Sequence, residues 1–334
     1  MKIGINGFGR IGRMIMRAYV ESQKHNNLEI ACINDLMDKK TNCHLLKYDS
    51  VHGQFNSAIH ETDTGISVSG KEIVMVSERE PEKINWSKYG VDLVLECSGV
   101  FTKKVDAYRH ITAGANRVIV SAPSEGADMT VVYGINHSGI EEKHQVISNG
   151  SCTTNCLALI AHIISRAFGI RSGFMTTIHA YTGDQRLIDT AHKDLRRARA
   201  AGLSMIPSTT GAARAIGLVL PHLDGKLDGA SIRVPTSNVS LVDLKCTLGR
   251  LASVEEINDT MRAASIDEQK GILGYSDAPL VSCDFNHSSF SAIFDATGTT
   301  IVDGTFCRVT AWYDNEYGFA NRMLDLASFL AEKQ

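Results

Sequence analysis

The chain opens with a strand that a glycine loop turns directly into a helix, and few local patterns restrict a fold more. Lys2-Ile3-Gly4-Ile5-Asn6 reads as a short β-strand, Gly7-Phe8-Gly9-Arg10-Ile11-Gly12 as the turn, and the run to about Glu21 as a helix. Glycines at this spacing permit a tight turn and a close approach of the backbone to a pyrophosphate, which then rests on the helix N-terminus. Gly-x-Gly-x-x-Gly alone is a weak signal; the flanking strand and helix are the context that a dinucleotide site requires. A second strand, 28–33, ends at Asn34-Asp35, and Asp35 lies 23 residues after Gly12. That is near the spacing expected of a carboxylate accepting from the adenosine ribose hydroxyls. An Asp after a strand is otherwise a turn former or a helix cap, so the ribose role depends on the glycine loop.

Three further strand-like runs follow at 73–76, 91–97 and 117–120, each β-branched and bounded by polar or Gly-containing segments. With a helical stretch at 102–114, they predict a mostly parallel sheet covered by helices. Ser98-Gly99 and Ser121-Ala122-Pro123 fall at strand ends, on the side where such sheets bind ligands.

Past this sheet lies Ser148-Asn149-Gly150-Ser151-Cys152-Thr153-Thr154-Asn155-Cys156. Leu157, Ile160, Ile163, Ile164, Ala167 and Phe168 then recur at three- and four-residue spacing until Gly169. The pattern predicts an amphipathic helix over about 153–168 with Ser151 or Cys152 at its start. A thiol there meets unpaired N–H groups and the positive end of the helix dipole, both favouring thiolate. Free Cys is more often a buried hydrophobe than a nucleophile. Cys156, one turn on, reads as core. The alternating strand 173–180 carries His179, which by itself reads as a structural residue as readily as a catalyst.

The segment 181–186 leads into His192-Lys193-Asp194-Leu195-Arg196-Arg197-Ala198-Arg199-Ala200. As a bare charge run this is a solvated face or a weak RNA-binding patch. It lacks interleaved aromatics, and a net charge of −3 argues against a general nucleic-acid or membrane surface. Ser208-Thr209-Thr210-Gly211-Ala212-Ala213 opens another helix, where hydroxyls and N–H groups suit a phosphate or simply cap the helix. Strands at 229–235, 238–248 and 305–313 flank a helical stretch at 254–264, giving an α+β, mainly antiparallel second domain. Arg233, embedded among apolar neighbours, needs a charge partner, and a ligand phosphate can supply one bidentately. Asn315 leads into a last helix, 318–330.

Composition bounds the rest. A length of 334 residues suffices for two domains, and 43% hydrophobic with 21% charged residues is ordinary for a soluble globular enzyme. Eight cysteines, spread singly apart from 152 and 156, form neither a metal-ligand cluster nor a disulfide framework, so no metal and a reducing cytoplasm are expected. No stretch approaches a membrane span, and the N-terminus starts a strand without a signal-peptide plan.

The Ser-Cys-Thr-Thr-Asn-Cys string closely resembles the phosphorylating glyceraldehyde-3-phosphate dehydrogenases. The resemblance runs almost end to end, from Ile5–Gly12 to Trp312-Tyr313-Asp314-Asn315-Glu316. Gly150 stands where that family usually has Ala, and Ala158 where it often has Pro; neither removes a functional group. The resemblance implies a Rossmann-like NAD-binding domain of 1–150 with 315–334, and a catalytic domain of 151–314. It implies Cys152 as nucleophile and His179, 27 residues on, as acid and base. For NAD it implies the loop of Gly7, Phe8, Gly9, Arg10, Ile11 and Gly12, with Asp35, Arg79 against the adenine, Ser121, and Asn315 on the nicotinamide carboxamide. The substrate phosphate falls to Thr182, Arg197 and Arg233, and inorganic phosphate to Ser151, Thr153, Thr210 and Gly211. The basic run resembles the family's S-shaped loop at a subunit interface, and the family is tetrameric. The partners implied are thus a phosphorylated aldehyde, inorganic phosphate and further copies of the chain, with no membrane and no dedicated nucleic-acid partner.

Two competitors are weaker. Erythrose-4-phosphate dehydrogenases share the Cys segment but lack the runs that stand here as Thr182–Gln185 and Thr209–Ala212. A nucleotide- or RNA-binding protein without turnover has no need of Cys152, His179 and two phosphate-shaped constellations together. Asp35 predicts a preference for NAD over NADP, since its charge opposes a 2′-phosphate. Thr190-Ala191 points the other way, because NAD-specific bacterial relatives often carry Leu-Pro there.

Overall fold

The computed structural model describes residues 1–333. The chain divides into two compact units, the first of 1–133, 137–151 and the residues from Phe319 on, the second of 134–136 and 152–318. The divisions after Ser151 and Gly318 lie one and four residues beyond the expected 150 and 314.

In the first unit, β1 (Lys2–Asn6) runs into α1 (Arg10–Ser22), and β2 (Glu29–Asn34) is followed by α2 (Lys39–Lys47). The strands β3 (Tyr48–Asp49) and β4 (Gly53–Gln54) form a separate two-stranded ribbon. Next come β5 (Ile59–Glu61), β6 (Gly65–Val68), β7 (Lys71–Val76) and β8 (Leu93–Glu96). The short helices α3 (Lys104–Ala107) and α4 (Arg109–Thr112) replace the single helical stretch expected over 102–114, and β9 (Arg117–Val120), β10 (Met129–Thr130) and β11 (Val146–Ser148) follow. The main sheet has the order β10-β11-β9-β8-β1-β2-β7-β6-β5. All neighbours from β10 to β7 are parallel, and only β5 and β6 join antiparallel. Ile3, Ile5, Leu95, Val118, Ile119 and Val120 are fully buried. A parallel sheet covered on both faces explains why its strands read as nearly unbroken apolar runs. The chain leaves β1 toward β2 and β7 on one side and returns on the other through β8. The strand order therefore reverses beside β1, which is where open α/β sheets bind ligands.

The second unit starts with α5 (Cys152–Phe168), whose Leu157, Ile160, Ile164 and Cys156 are fully buried. Its strands are β12 (Ile170–Ala180), β13 (Ile206–Thr209), β14 (Leu227–Val234), β15 (Ser240–Leu248), β16 (Leu273–Ser276), β17 (Ala292–Val302) and β18 (Phe306–Tyr313). They order as β13-β14-β12-β15-β18-β17-β16, antiparallel except for β12 with β14 and β16 with β17. Two helices, α6 (Ala212–Val219) and α7 (Val254–Ile266), pack with α5 on this sheet. Ser208 and Thr209, expected to open a helix, instead end β13, and Gly211 stands at the start of α6. The last helix, α8 (Tyr317–Glu332), begins in the second unit and buries Met323, Leu324, Leu326, Ala327 and Leu330. Among the described residues, no helix is long and apolar enough to cross a membrane.

Candidate active site

Of the residues expected to hold a dinucleotide, the 7–12 loop follows β1, Asp35 follows β2, Arg79 lies beyond β7 and Ser121 follows β9, while Asn315 belongs to the second unit. Gly7 takes φ +89, and a Cβ there would lie 2.5 Å from the Cα and N of Ser98, so the loop closes on that segment only as glycine. The start of α1 has no side-chain cap and no acidic residue in its first turn, an end of a helix that suits an anion. Asp35 accepts from the Phe8 N–H (2.6 Å) through one oxygen and from the Met37 N–H (2.8 Å) through the other. Its carboxylate is thereby tied to the glycine loop, and the cradle fits a dinucleotide. Arg10 pairs with Asp49, whose pKa is held down to about 2: burial opposes this, and the hydrogen bonds that Asp49 accepts from Arg10 and from the His52 and Val51 N–H groups outweigh it. Arg79 is exposed beyond β7, and Ser121 follows β9 with its N–H on the Glu96 carbonyl (3.0 Å).

In the second unit, Cys152 is the first residue of α5 and retains partial exposure. Its sulfur lies 3.5 Å from Nε2 of His179, on β12. Arg233 on β14 stands directly opposite His179 in the parallel register, and its Nη1 is 2.7 Å from Nδ1 of the imidazole. Nδ1 is also 2.7 Å from the Ala180 carbonyl. An arginine only donates, so with Arg233 engaged Nδ1 accepts and the ring proton sits on Nε2, facing the sulfur. With Nδ1 protonated, Nδ1–H donates to the carbonyl and Nε2 accepts from the thiol. Two alternative partners thus give the ring both roles of an acid–base group.

Burial and then the Arg233 charge hold the His179 pKa down to about 3. Burial also pushes the Cys152 thiol up, against the Arg233 charge and the Thr153 N–H at the helix start. The helix-start argument for a thiolate is therefore only part of the balance; desolvation opposes it, and Arg233 is the main counterweight. Arg233 Nε is buried without a hydrogen-bond partner, as expected of a guanidinium shaped for a ligand anion.

The remaining expected phosphate ligands are more engaged. Arg197 donates to Asp184 (2.6 Å) and, through Nε and Nη2, to Ser208 Oγ (2.9 and 2.5 Å), while its charge still reaches His179 and Arg233. The Thr153 hydroxyl bonds the Tyr313 hydroxyl (2.8 Å), and Thr210 Oγ1 accepts from the Ala212 N–H (3.1 Å). Ser151 and Thr182 are half-buried, and Gly211 is exposed. Gly150 takes φ +63, a left-handed conformation that glycine adopts more readily than any residue with a Cβ.

Several residues that shape the site were given no role by the sequence reading. Tyr313 bonds both Thr153 and Thr177 (2.9 Å), and its ring meets His179 edge-on at 6.0 Å. Ser240 Oγ accepts from the Ala180 N–H (3.1 Å) and donates to Asn315 Oδ1 (2.8 Å). Asn315 thus presents its Nδ2 as the free donor. Asp314, flanking it, accepts from the N–H groups of Glu316 (2.9 Å) and Tyr317 (2.8 Å). Val239, before Ser240, is held at φ +67, where a β-branched residue is strained. Only Asp314 had a legible signal, an acid placed to cap the following helix.

A parallel sheet with a glycine loop at its reversal point, joined to an α+β unit, defines a dinucleotide-dependent oxidoreductase of two units. A family model described as glyceraldehyde 3-phosphate dehydrogenase, NAD binding domain, matches residues 1–104, and one described as the C-terminal domain of the same enzyme matches 151–315. The chain is 54% identical over 327 residues to the glyceraldehyde-3-phosphate dehydrogenase of Xanthobacter flavus, covering 98% of this chain and 97% of the relative. It is 52% identical to that of Geobacillus stearothermophilus over 334 residues, covering 100% and 99%. The chain belongs to the glyceraldehyde-3-phosphate dehydrogenase family, and its cofactor is NAD.

Proposed function

We propose that the chain oxidises D-glyceraldehyde 3-phosphate with NAD and inorganic phosphate to 1,3-bisphosphoglycerate, in either direction. The observation that carries this is the line Cys152, His179, Arg233, joined by contacts of 3.5 and 2.7 Å, with Arg233 Nε buried and unpartnered. A thiol suits the reaction because it both adds to an aldehyde and leaves readily from a thioester.

Arg233, with Arg197 and Thr182, binds the substrate phosphate and sets the aldehyde carbon over Cys152. His179 Nε2 takes the Cys152 thiol proton, the thiolate adds to that carbon, and Nε2 gives the proton to the resulting oxyanion to form a thiohemiacetal. Bound NAD supplies the acceptor for the hydride that leaves this carbon. His179 takes the hydroxyl proton back as the C=O of a thioester forms. A phosphate oxygen, oriented by Ser151, Thr153, Thr210 and Gly211, then attacks the thioester carbon; the C–S bond breaks and Cys152 departs as thiolate. On the cofactor side the loop 7–12 and Asp35 hold pyrophosphate and ribose, with Arg79 and Ser121 beside them, and Asn315 Nδ2 donates to the nicotinamide carboxamide. Association into a homotetramer is supported by Leu187, Ile188, Leu195, Leu203 and Met205, all 73% or more exposed around the basic loop. The cytoplasm is the compartment that suits eight free cysteines.

Steady-state oxidation of glyceraldehyde 3-phosphate against erythrose 4-phosphate, with and without inorganic phosphate, tests the reading. Phosphate-dependent turnover favouring the triose is expected. Higher efficiency with the tetrose, or turnover indifferent to phosphate, overturns it.

A further inference from the structure

A buried chain of hydrogen bonds runs beneath the dinucleotide loops of the first unit. Trp86 Nε1 lies 3.0 Å from Nδ1 of His110, and both side chains are fully buried. An indole N–H can only donate, so Nδ1 of His110 accepts and its proton sits on Nε2. Nε2 then donates to Glu96 Oε2 at 2.9 Å. The same oxygen accepts from Asn6 Nδ2 (2.5 Å), while Oε1 accepts from the Ser98 N–H (2.8 Å) and hydroxyl (2.5 Å). Asn6 Oδ1 accepts in turn from Asn34 Nδ2 (2.7 Å), and Asn34 Oδ1 from the Glu78 N–H (2.8 Å). The indole fixes the His110 tautomer, and the acceptor-only carboxylate of Glu96 together with the Glu78 N–H fixes both asparagine amides.

Its members occupy the places from which the loops depart. Asn6, Asn34 and Glu96 are the last residues of β1, β2 and β8, directly before Gly7, Asp35 and the 97–99 segment. The Gly7 N–H donates to the Asn34 carbonyl (2.8 Å), and Gly7 closes on Ser98, the residue Glu96 holds. We propose that Glu96, oriented by His110, is a positioning residue for NAD, setting the spacing of the three loops that receive it. The proposal rests on the reading of those loops as the cofactor site.

Glu96→Gln tests it, because the carboxamide introduces an N–H₂ where only acceptors fit. Facing Ser98 it meets a backbone N–H. Facing Asn6 and His110 it meets donors that cannot turn round, since Asn34 and Trp86 fix them. At least one buried donor is left unsatisfied in either orientation, and the loops shift to relieve it. Calorimetric titration with NAD alone is expected to show affinity weakened about tenfold or more, the scale of one lost buried hydrogen bond. KM for NAD should rise in parallel, while kcat at saturating NAD stays within about threefold. His110→Phe, which keeps an aromatic ring but removes the donor to Glu96, should weaken NAD in the same direction. A lower melting temperature with unaltered NAD affinity in both variants overturns the proposal and leaves the chain a fold-stabilising element. Asp35→Ala serves as the control: unaltered NAD affinity in that variant strikes the ribose assignment, whatever Glu96→Gln shows.

Discussion

The tips of the first unit's strands and the centre of the second unit handle polar groups in opposite ways. Around Glu96, Asn6 and Asn34 the donors and acceptors satisfy one another and hold the loops before any ligand arrives. In the second unit they do not all do so: Arg233 Nε, Ser231 Oγ and both amide atoms of Gln185 are buried without partners. A saturated network fixes geometry, whereas unpartnered buried groups await a ligand that completes them. Substitutions at the strand tips should therefore change how tightly NAD binds, and substitutions at Cys152, His179 and Arg233 should change how fast aldehyde turns over.

The largest test of that contrast is Cys152→Ser, expected to lower turnover by at least about 10³-fold, as loss of a nucleophile does, with NAD affinity unaltered. One equivalent of iodoacetamide should inactivate the enzyme, with peptide mapping placing the label on Cys152. Exposed Cys283 is the control, since its labelling should leave activity intact. His179→Asn should slow both that alkylation and single-turnover hydride transfer by roughly 10²–10⁴-fold. Arg233→Ala should cost about 10²-fold in kcat/KM for the phosphorylated aldehyde, on the scale of a lost buried charge contact. Equal losses with glyceraldehyde and its 3-phosphate would move the contact away from that phosphate.

On the cofactor side, efficiency with NAD should exceed that with NADP by at least about tenfold, the scale of a like-charge shift. Asp35→Ala should narrow the ratio; an unchanged ratio would remove Asp35 from cofactor selection. The smallest effect is on acid stability. His179 titrates near 3 when folded against an ordinary 6.5, so the unfolded chain binds the extra proton between those values. Its contribution is complete above about 6.5 and is lost as pH falls toward 3. Urea unfolding across that window should show a shallower decline for His179→Asn. Some slope should persist, because burial also lowers His25, His137 and His162.

What could be read beforehand follows from how local each signal is. The Gly7–Gly12 loop and α5 were legible because a turn and an amphipathic helix are written in adjacent residues. The 59–68 hairpin was missed, since its short strands expose and bury residues without a clean alternation. The pairing of β12 with β14 left no trace either, because parallel partners share neither turn nor loop. Ser240, Tyr313 and Glu96 are ordinary residues whose roles come only from what the fold brings against them. Cys152 shows the limit within a motif: its helix position was visible, but the burial opposing its ionisation was not.

That parallel pairing has a consequence in time. His179 and Arg233 are 54 residues apart and meet only when β14 docks beside β12. Closing so long a segment costs entropy before its contacts repay it, so non-local parallel pairing is intrinsically slow. A helix such as α5 forms from neighbours and needs no such closure. During refolding, helical signal should return first, and aldehyde oxidation should lag until this one strand is seated. A newly synthesised chain would carry its cysteine already at the head of a helix, yet remain chemically idle until the last long segment comes home.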